Sequence, residues 1–181
     1  QKSEKRCKLI LAPRGIGKTS IVKGIISKKI LFRDAHFIMY VSNTLPIAVM
    51  QTEAIKRGLL TNKTVRKLFG NIKENIRDFG ADVDDVFSKE AWVAYGDTIV
   101  VPRGCNQQIR GSNWNNYRPD LIILDDPENR KELRNEANRE ENRRWLFGDV
   151  LYAPDRGSKD WEVIYIDTLK HEDSLPMHLM N

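Results

Sequence analysis

Thiols are scarce in this chain: Cys7 and Cys105 are its two cysteines, and neither has a second thiol or a histidine at ligand spacing. A disulfide framework and a Cys/His zinc site are thereby excluded, and a reducing compartment is the expectation. No apolar run approaches the ~20 residues that a membrane-crossing helix needs. The start at Gln1 lacks the basic, apolar and small-residue regions of a signal peptide. Repeats and low-complexity tracts are missing too. Acid is almost absent from the first third, where residues 1–33 hold ten Lys or Arg against Glu4 alone. Within a net charge of +5, that imbalance suits a polyanionic partner, the alternative being a solvated basic face with none.

What is present is ordinary for a folded domain. Hydrophobic residues make up 40% and charged residues 30% of 181 positions, which fits one domain with a single three-layer core. Short apolar runs alternate with helical patterns. Cys7–Ala12, Phe37–Ser42, Asp120–Leu124 and Glu162–Asp167 read as buried strands. Thr19–Leu31 reads as a helix with Val22, Ile25, Ile26 and Ile30 on one face. Pro46–Leu60 is a second helix with Pro46 in its first turn, and Thr64–Phe69 a third, ended by Gly70. Trp92–Tyr95 and Thr98–Pro102 flank Gly96-Asp97 as a hairpin, and the charged stretch Glu128–Trp145 reads as one long helix. The order implies an α/β fold with a mostly parallel sheet covered on both faces, plus a small antiparallel hairpin.

The first strand runs into Ala12-Pro13-Arg14-Gly15-Ile16-Gly17-Lys18-Thr19-Ser20, and a helix follows. This is the layout of a phosphate-binding P-loop, with Ala12 at the first glycine position. Backbone N–H groups of Gly15 through Ser20 face a polyphosphate, Lys18 neutralises β/γ oxygens, and the Thr19 hydroxyl holds Mg²⁺. A plain strand-turn-helix corner is the alternative. Leu121-Ile122-Ile123-Leu124-Asp125-Asp126-Pro127-Glu128 has the form of a Walker B strand, its acids emerging at the carboxyl end. Asp125 is placed to hold the Mg²⁺ shell and Asp126 to polarise a water for attack on a γ-phosphate. Asp126 is one methylene shorter than the Glu common there, so Glu128 is a second candidate for the base. Val163-Ile164-Tyr165-Ile166-Asp167-Thr168 is a strand ending in a hydroxyl. In the additional-strand class of P-loop ATPases such a strand lies between the P-loop and Walker B strands, with its terminal hydroxyl, here Thr168, reaching the γ-phosphate.

Four segments in order carry a family resemblance: Ala-Pro-Arg-Gly-x-Gly-Lys-Thr; Tyr40-Val41-Ser42-Asn43-Thr44; Ile109-Arg110-Gly111 leading to Arg118-Pro119-Asp120 and the Walker B run; and Thr168 before His171-Glu172-Asp173. From about Lys8 to Leu175 the chain resembles the ATPase domain of the large terminase subunit of tailed bacteriophages. The resemblance implies a three-layer P-loop NTPase that spends ATP, with Mg²⁺, to drive double-stranded viral DNA through a portal protein into a procapsid. It further implies a small terminase subunit as partner, a ring of copies on the portal, and a site in the host cytoplasm at the procapsid. Lys18 and Thr19 match the Walker A pair, Asp125 and Asp126 the Walker B acids, and Thr168 the coupling motif. Arg14 matches the Walker A arginine, a γ-phosphate contact or cis finger. Arg110 falls where related motors offer an arginine to a neighbouring subunit. Two positions depart from the family pattern: Asp126 for Glu, and Asp167 where glycine often precedes the coupling Thr. A C-terminal nuclease domain usually follows in such proteins, so the chain reads as a fragment that stops before it, without nuclease activity and without an N-terminal base clamp.

Other features have plainer readings beside functional ones. Arg14 and Arg110 are surface arginines unless phosphate engages them. His171-Glu172-Asp173 makes a poor ligand set and reads as structural or coupling. Arg139, Arg143 and Arg144 either lace a solvated helix or touch DNA, and Trp114 either packs on its own domain or stacks on a base. A helicase-like DNA translocase and a non-hydrolysing nucleotide-binding assembly module remain as alternative functions.

Overall fold

Phe37–Ser42 is buried at all six positions, as a central strand of a parallel sheet must be when helices cover both faces. The computed structural model describes residues 6–74, 87–155, 157–158 and 160–180. Lys2, Glu4 and Lys5 of the basic first third lie outside them. Six strands form one sheet: β1 (Cys7–Leu11), β2 (Phe37–Ser42), β3 (Trp92–Ala94), β4 (Thr98–Gly104), β5 (Leu121–Asp125) and β6 (Glu162–Asp167). Their spatial order is β1-β6-β5-β2-β4-β3, parallel throughout except the β3–β4 pair. The last strand of the sequence is thus inserted between β1 and β5, as expected of the additional-strand class.

Alternation along β2 splits the core in two. Ile38 and Tyr40 pack with Val22, Ile26 and Ile30 of α1 (Lys18–Leu31) and Ile55 of α2 (Leu45–Thr61). Phe37, Met39 and Val41 face the other side, against Trp145 and Leu146 of α4 (Glu136–Gly148). Two short helices are also present among the described residues, α3 (Lys63–Phe69) and α5 (Leu175–Met180). Asp120 fastens the entrance of β2 to that of β5: its carboxylate accepts the His36 and Phe37 N–H groups at 2.7 and 2.9 Å.

Two sequence expectations need correction. The hairpin turns on Tyr95-Gly96 and not Gly96-Asp97. Both Tyr95 and Gly96 have positive φ (55° and 77°), and the Asp97 N–H closes the turn on the Ala94 carbonyl at 3.2 Å. The helix expected over Glu128–Trp145 starts only at Glu136. Before it lie an irregular stretch and a 3₁₀ turn, Glu132–Arg134. Asn135 stops the two from merging, because its extended backbone lets its side chain accept the Ala137 N–H at 2.9 Å as an N-cap. Glu132 and Glu136 therefore do not share one helical row, whereas Glu140 does pair along the helix with Arg143 and Arg144.

Candidate nucleotide site

Three neighbouring parallel strands end at one edge of the sheet, and each delivers part of the candidate site. From β1 the chain enters the loop Ala12–Gly17. Gly15 and Gly17 stand at φ 86° and 81°, a region that a side chain makes costly. α1 begins at Lys18 with no side-chain cap and no acid in its first turn. Its first N–H groups have no intrahelical acceptor by construction, so the helix end is suited to an anion. Arg14 and Ile16 are exposed on this loop, while Lys18 and Thr19 are half-buried beneath it.

From β6 come Asp167 and Thr168. The Thr168 hydroxyl donates to the Ala12 carbonyl at 3.0 Å and accepts from Lys18 Nζ at 2.6 Å. Lys18 also reaches the carbonyls of Ala12 and Pro13 at 3.2 and 3.1 Å. Lys18 and Thr168 therefore touch directly. From β5 come Asp125 and Asp126. Asp125 is buried; its Oδ2 accepts from the Tyr40 hydroxyl at 2.5 Å, while its Oδ1 is buried with no hydrogen-bond partner among the described residues. Burial, and then the charge of Asp125, push the Tyr40 hydroxyl far above its ordinary range, so it stays a donor. A hard cation taking few protein oxygens suits an orphaned carboxylate oxygen and a hydroxyl such as Thr19, so the residues fit Mg²⁺. Among the described residues no cluster of three or more His, Cys, Asp or Glu is assembled for a metal.

Asp126 projects beyond the strand end, exposed, with φ 54°. Burial of its carboxyl is outweighed by hydrogen bonds from Asp167 and Lys170 and by the charges of Lys170 and Lys18, which hold it below the usual carboxylate range. Asp167 goes the other way, pushed up to about 7 by burial and by the neighbouring Asp126 carboxyl. Glu128, the second candidate base, is 3% exposed and accepts the Leu175 N–H at 3.0 Å. Burial raises its pKa, and its oxygen is committed to the start of α5.

The remaining candidates fall elsewhere. Arg110 is exposed in the loop after β4, and three strands separate β4 from β1. It lines an open cleft with Leu45, Arg103, Gln107 and Ser112, away from its own P-loop. The structural reading of His171-Glu172-Asp173 fits the contacts. Asp173 accepts from Arg139, Arg143 and His178 at 2.7, 2.9 and 2.7 Å, and His171 accepts the Asp173 N–H. Two of the arginines considered for DNA are thus tied to Asp173, just before α5, leaving Arg144 exposed. Trp114 packs against the α4-side core. Lys170 was not singled out in the sequence, and Tyr40 entered only within the segment Tyr40-Val41-Ser42-Asn43-Thr44, with no role of its own. A lysine two residues past Thr168 carries no motif of its own, and nothing local marks Tyr40 as a partner of Asp125.

No family model matches this chain, and no curated protein matches it. Among solved structures, the chain is similar to one described as the Phi-28 gp11 DNA packaging motor, with a TM-score of 0.44 and 15% identity. The match covers 91% of this chain and 47% of that one, so the chain spans about half that protein's length.

Proposed function

We propose that this chain is an ATP-hydrolysing motor domain of the large-terminase type, acting with Mg²⁺ on double-stranded viral DNA. The observation that carries the reading is the meeting of Lys18, Thr168 and the Asp125–Asp126 pair at the carboxyl ends of adjacent strands β1, β6 and β5. In the reaction a water oxygen bonds to the γ-phosphorus while the bond from that phosphorus to the β,γ-bridging oxygen breaks, and ADP leaves with the electron pair. Asp126, ionised and exposed, takes the water's proton. Loop N–H groups from Gly15 to Ser20 and the Lys18 ammonium hold the β/γ oxygens, and Arg14 reaches the γ-phosphate from the loop. Thr19 and Asp125 would hold Mg²⁺, which when bound supplies charge neutralisation at the phosphates. Thr168, bonded to Lys18, passes the γ-phosphate state into β6.

The DNA-packaging part rests on the segments Ile109-Arg110-Gly111 and Arg118-Pro119-Asp120. The portal protein, the small terminase subunit, a ring of copies and docking on a procapsid in the host cytoplasm belong to the same proposal. Contact with an arbitrary genome goes to backbone phosphates, since base edges vary. The test is Mg²⁺-ATP turnover of the wild type and Lys18→Ala, with and without double-stranded DNA and portal. The reading expects DNA- or portal-stimulated turnover that Lys18→Ala abolishes with the fold intact. Unchanged turnover in that variant would overturn the P-loop assignment, stimulation by single strands alone would favour a helicase-like translocase, and binding without turnover would favour an assembly module.

A further inference from the structure

One buried cation beside the site has no part in the reading above. The Lys170 side chain is 2% exposed, and its ammonium sits 2.6 Å from Asp126 Oδ1, 2.6 Å from Asp167 Oδ1 and 2.6 Å from the Glu128 carbonyl. Two of its three donors are hydrogen-bonded, to Asp167 and to the Glu128 carbonyl, and its charge is paired with Asp126, so the ammonium is engaged by protein groups. That distinguishes Lys170 from Lys18: it serves protein groups, and those groups surround the Walker B turn. Burying an ammonium is costly unless every partner is well placed, so the arrangement is one a fold would not keep for bulk packing.

Asp126 needs such a partner. β5 has ended at Asp125, and at φ 54° neither a strand nor a helix sets where the Asp126 side chain points. Two of the Lys170 bonds bracket the turn, one on the Asp126 carboxylate and one on the Glu128 carbonyl. The third leads back to β6, where the same Asp167 Oδ1 accepts the Thr168 N–H at 2.6 Å. Thr168 joins the two sides: its Oγ1 accepts from Lys18, and its backbone N–H donates to the Asp167 Oδ1 that Lys170 also binds, while Lys170 is ion-paired with Asp126.

We propose that Lys170 is a positioning residue for hydrolysis: it fixes the Asp126 carboxylate over the Walker B turn and ties that placement to the Lys18–Thr168 contact. The inference rests on the ATPase reading, and the wild-type control separates the two. A misplaced carboxylate slows the chemical step and leaves the P-loop free to bind. In the full chain, Lys170→Met should lower kcat about a hundredfold, with the ATP KM and the affinity for a fluorescent ATP analogue essentially unchanged. Because Lys170→Met leaves two facing carboxylates without their cation, the double variant Asp167→Asn/Lys170→Met keeps the test valid if the single variant does not fold. It should show the same split of kcat from binding. Wild-type turnover retained in Lys170→Met or in the double variant would overturn the inference alone, as would parallel loss of binding and turnover in the double variant. A wild type that does not turn over overturns the ATPase reading, and this inference with it.

Discussion

Asp126 and Glu128, two positions apart, end in opposite environments. Pro127 and the left-handed backbone at Asp126 turn one carboxylate outward to the P-loop side and the other inward to Leu175. On the ATPase reading that turn selects the base, because an exposed carboxylate reaches a water and a buried one does not. Asp173 is a third acid with a distinct environment. Its hydrogen bonds, first from Arg139 and then from His178, with the Arg143 charge adding, hold its pKa down to about 2. A carboxyl whose folded pKa lies below its unfolded value of ~3.9 stabilises the ionised fold. That contribution is fully present above about pH 4 and is lost as the pH falls through about 2. Asp173→Asn should therefore flatten the acid side of the stability curve over that window. Denaturant unfolding followed from pH 6 down to ~2 would check it, and an unchanged slope would mean that the Arg139–Asp173–Arg143 junction adds nothing to the fold.

At the level of elements, the strands and the glycine loop between β1 and α1 were legible in the sequence because their signals are local. Phe37–Ser42 and Glu162–Asp167 are rich in β-branched and aromatic residues, and both form strands with those bounds. Gly15, Gly17 and Lys18 announce a loop that needs positive φ before a helix. The failures lie where local signals compete. Glu128–Trp145 has helical charge spacing throughout, yet Asn135 prefers to cap, and burial of Glu128 against α5 pulls the first part off the helix axis. α5 itself has only six residues and is held by Glu128 and Asp173, contacts far apart in sequence. Lys170 was unreadable for the same reason: its three acceptors come together only once β6 lies beside β5. If the Asn135 cap is what starts α4, Asn135→Ala should lower stability by about 1 kcal/mol, seen as a lower urea midpoint at unchanged slope. An unchanged midpoint would place the helix start under the control of packing alone.

For the whole molecule, the sheet order keeps Arg110 and the P-loop apart, so one copy does not bring the two to a single phosphate. If adjoining copies share the site, turnover per subunit should rise with protein concentration, and Arg110→Ala should flatten the rise. Mixing Arg110→Ala with Lys18→Ala should then recover turnover, because one copy keeps the P-loop and the other the arginine; inactivity at all ratios would leave Arg110 an ordinary surface residue. Beneath that assembly lies the claim that hydrolysis occurs where β1, β5 and β6 end, with Asp126 as the base. Asparagine tolerates a positive φ as aspartate does, so Asp126→Asn changes the carboxylate and spares the turn. The direct measurement is phosphate release, together with ATP affinity, for the wild type, Asp126→Asn and Glu128→Gln. Retained affinity with turnover lost in Asp126→Asn and kept in Glu128→Gln is the expected result, and the reverse pattern, or wild-type turnover in Asp126→Asn, would contradict it.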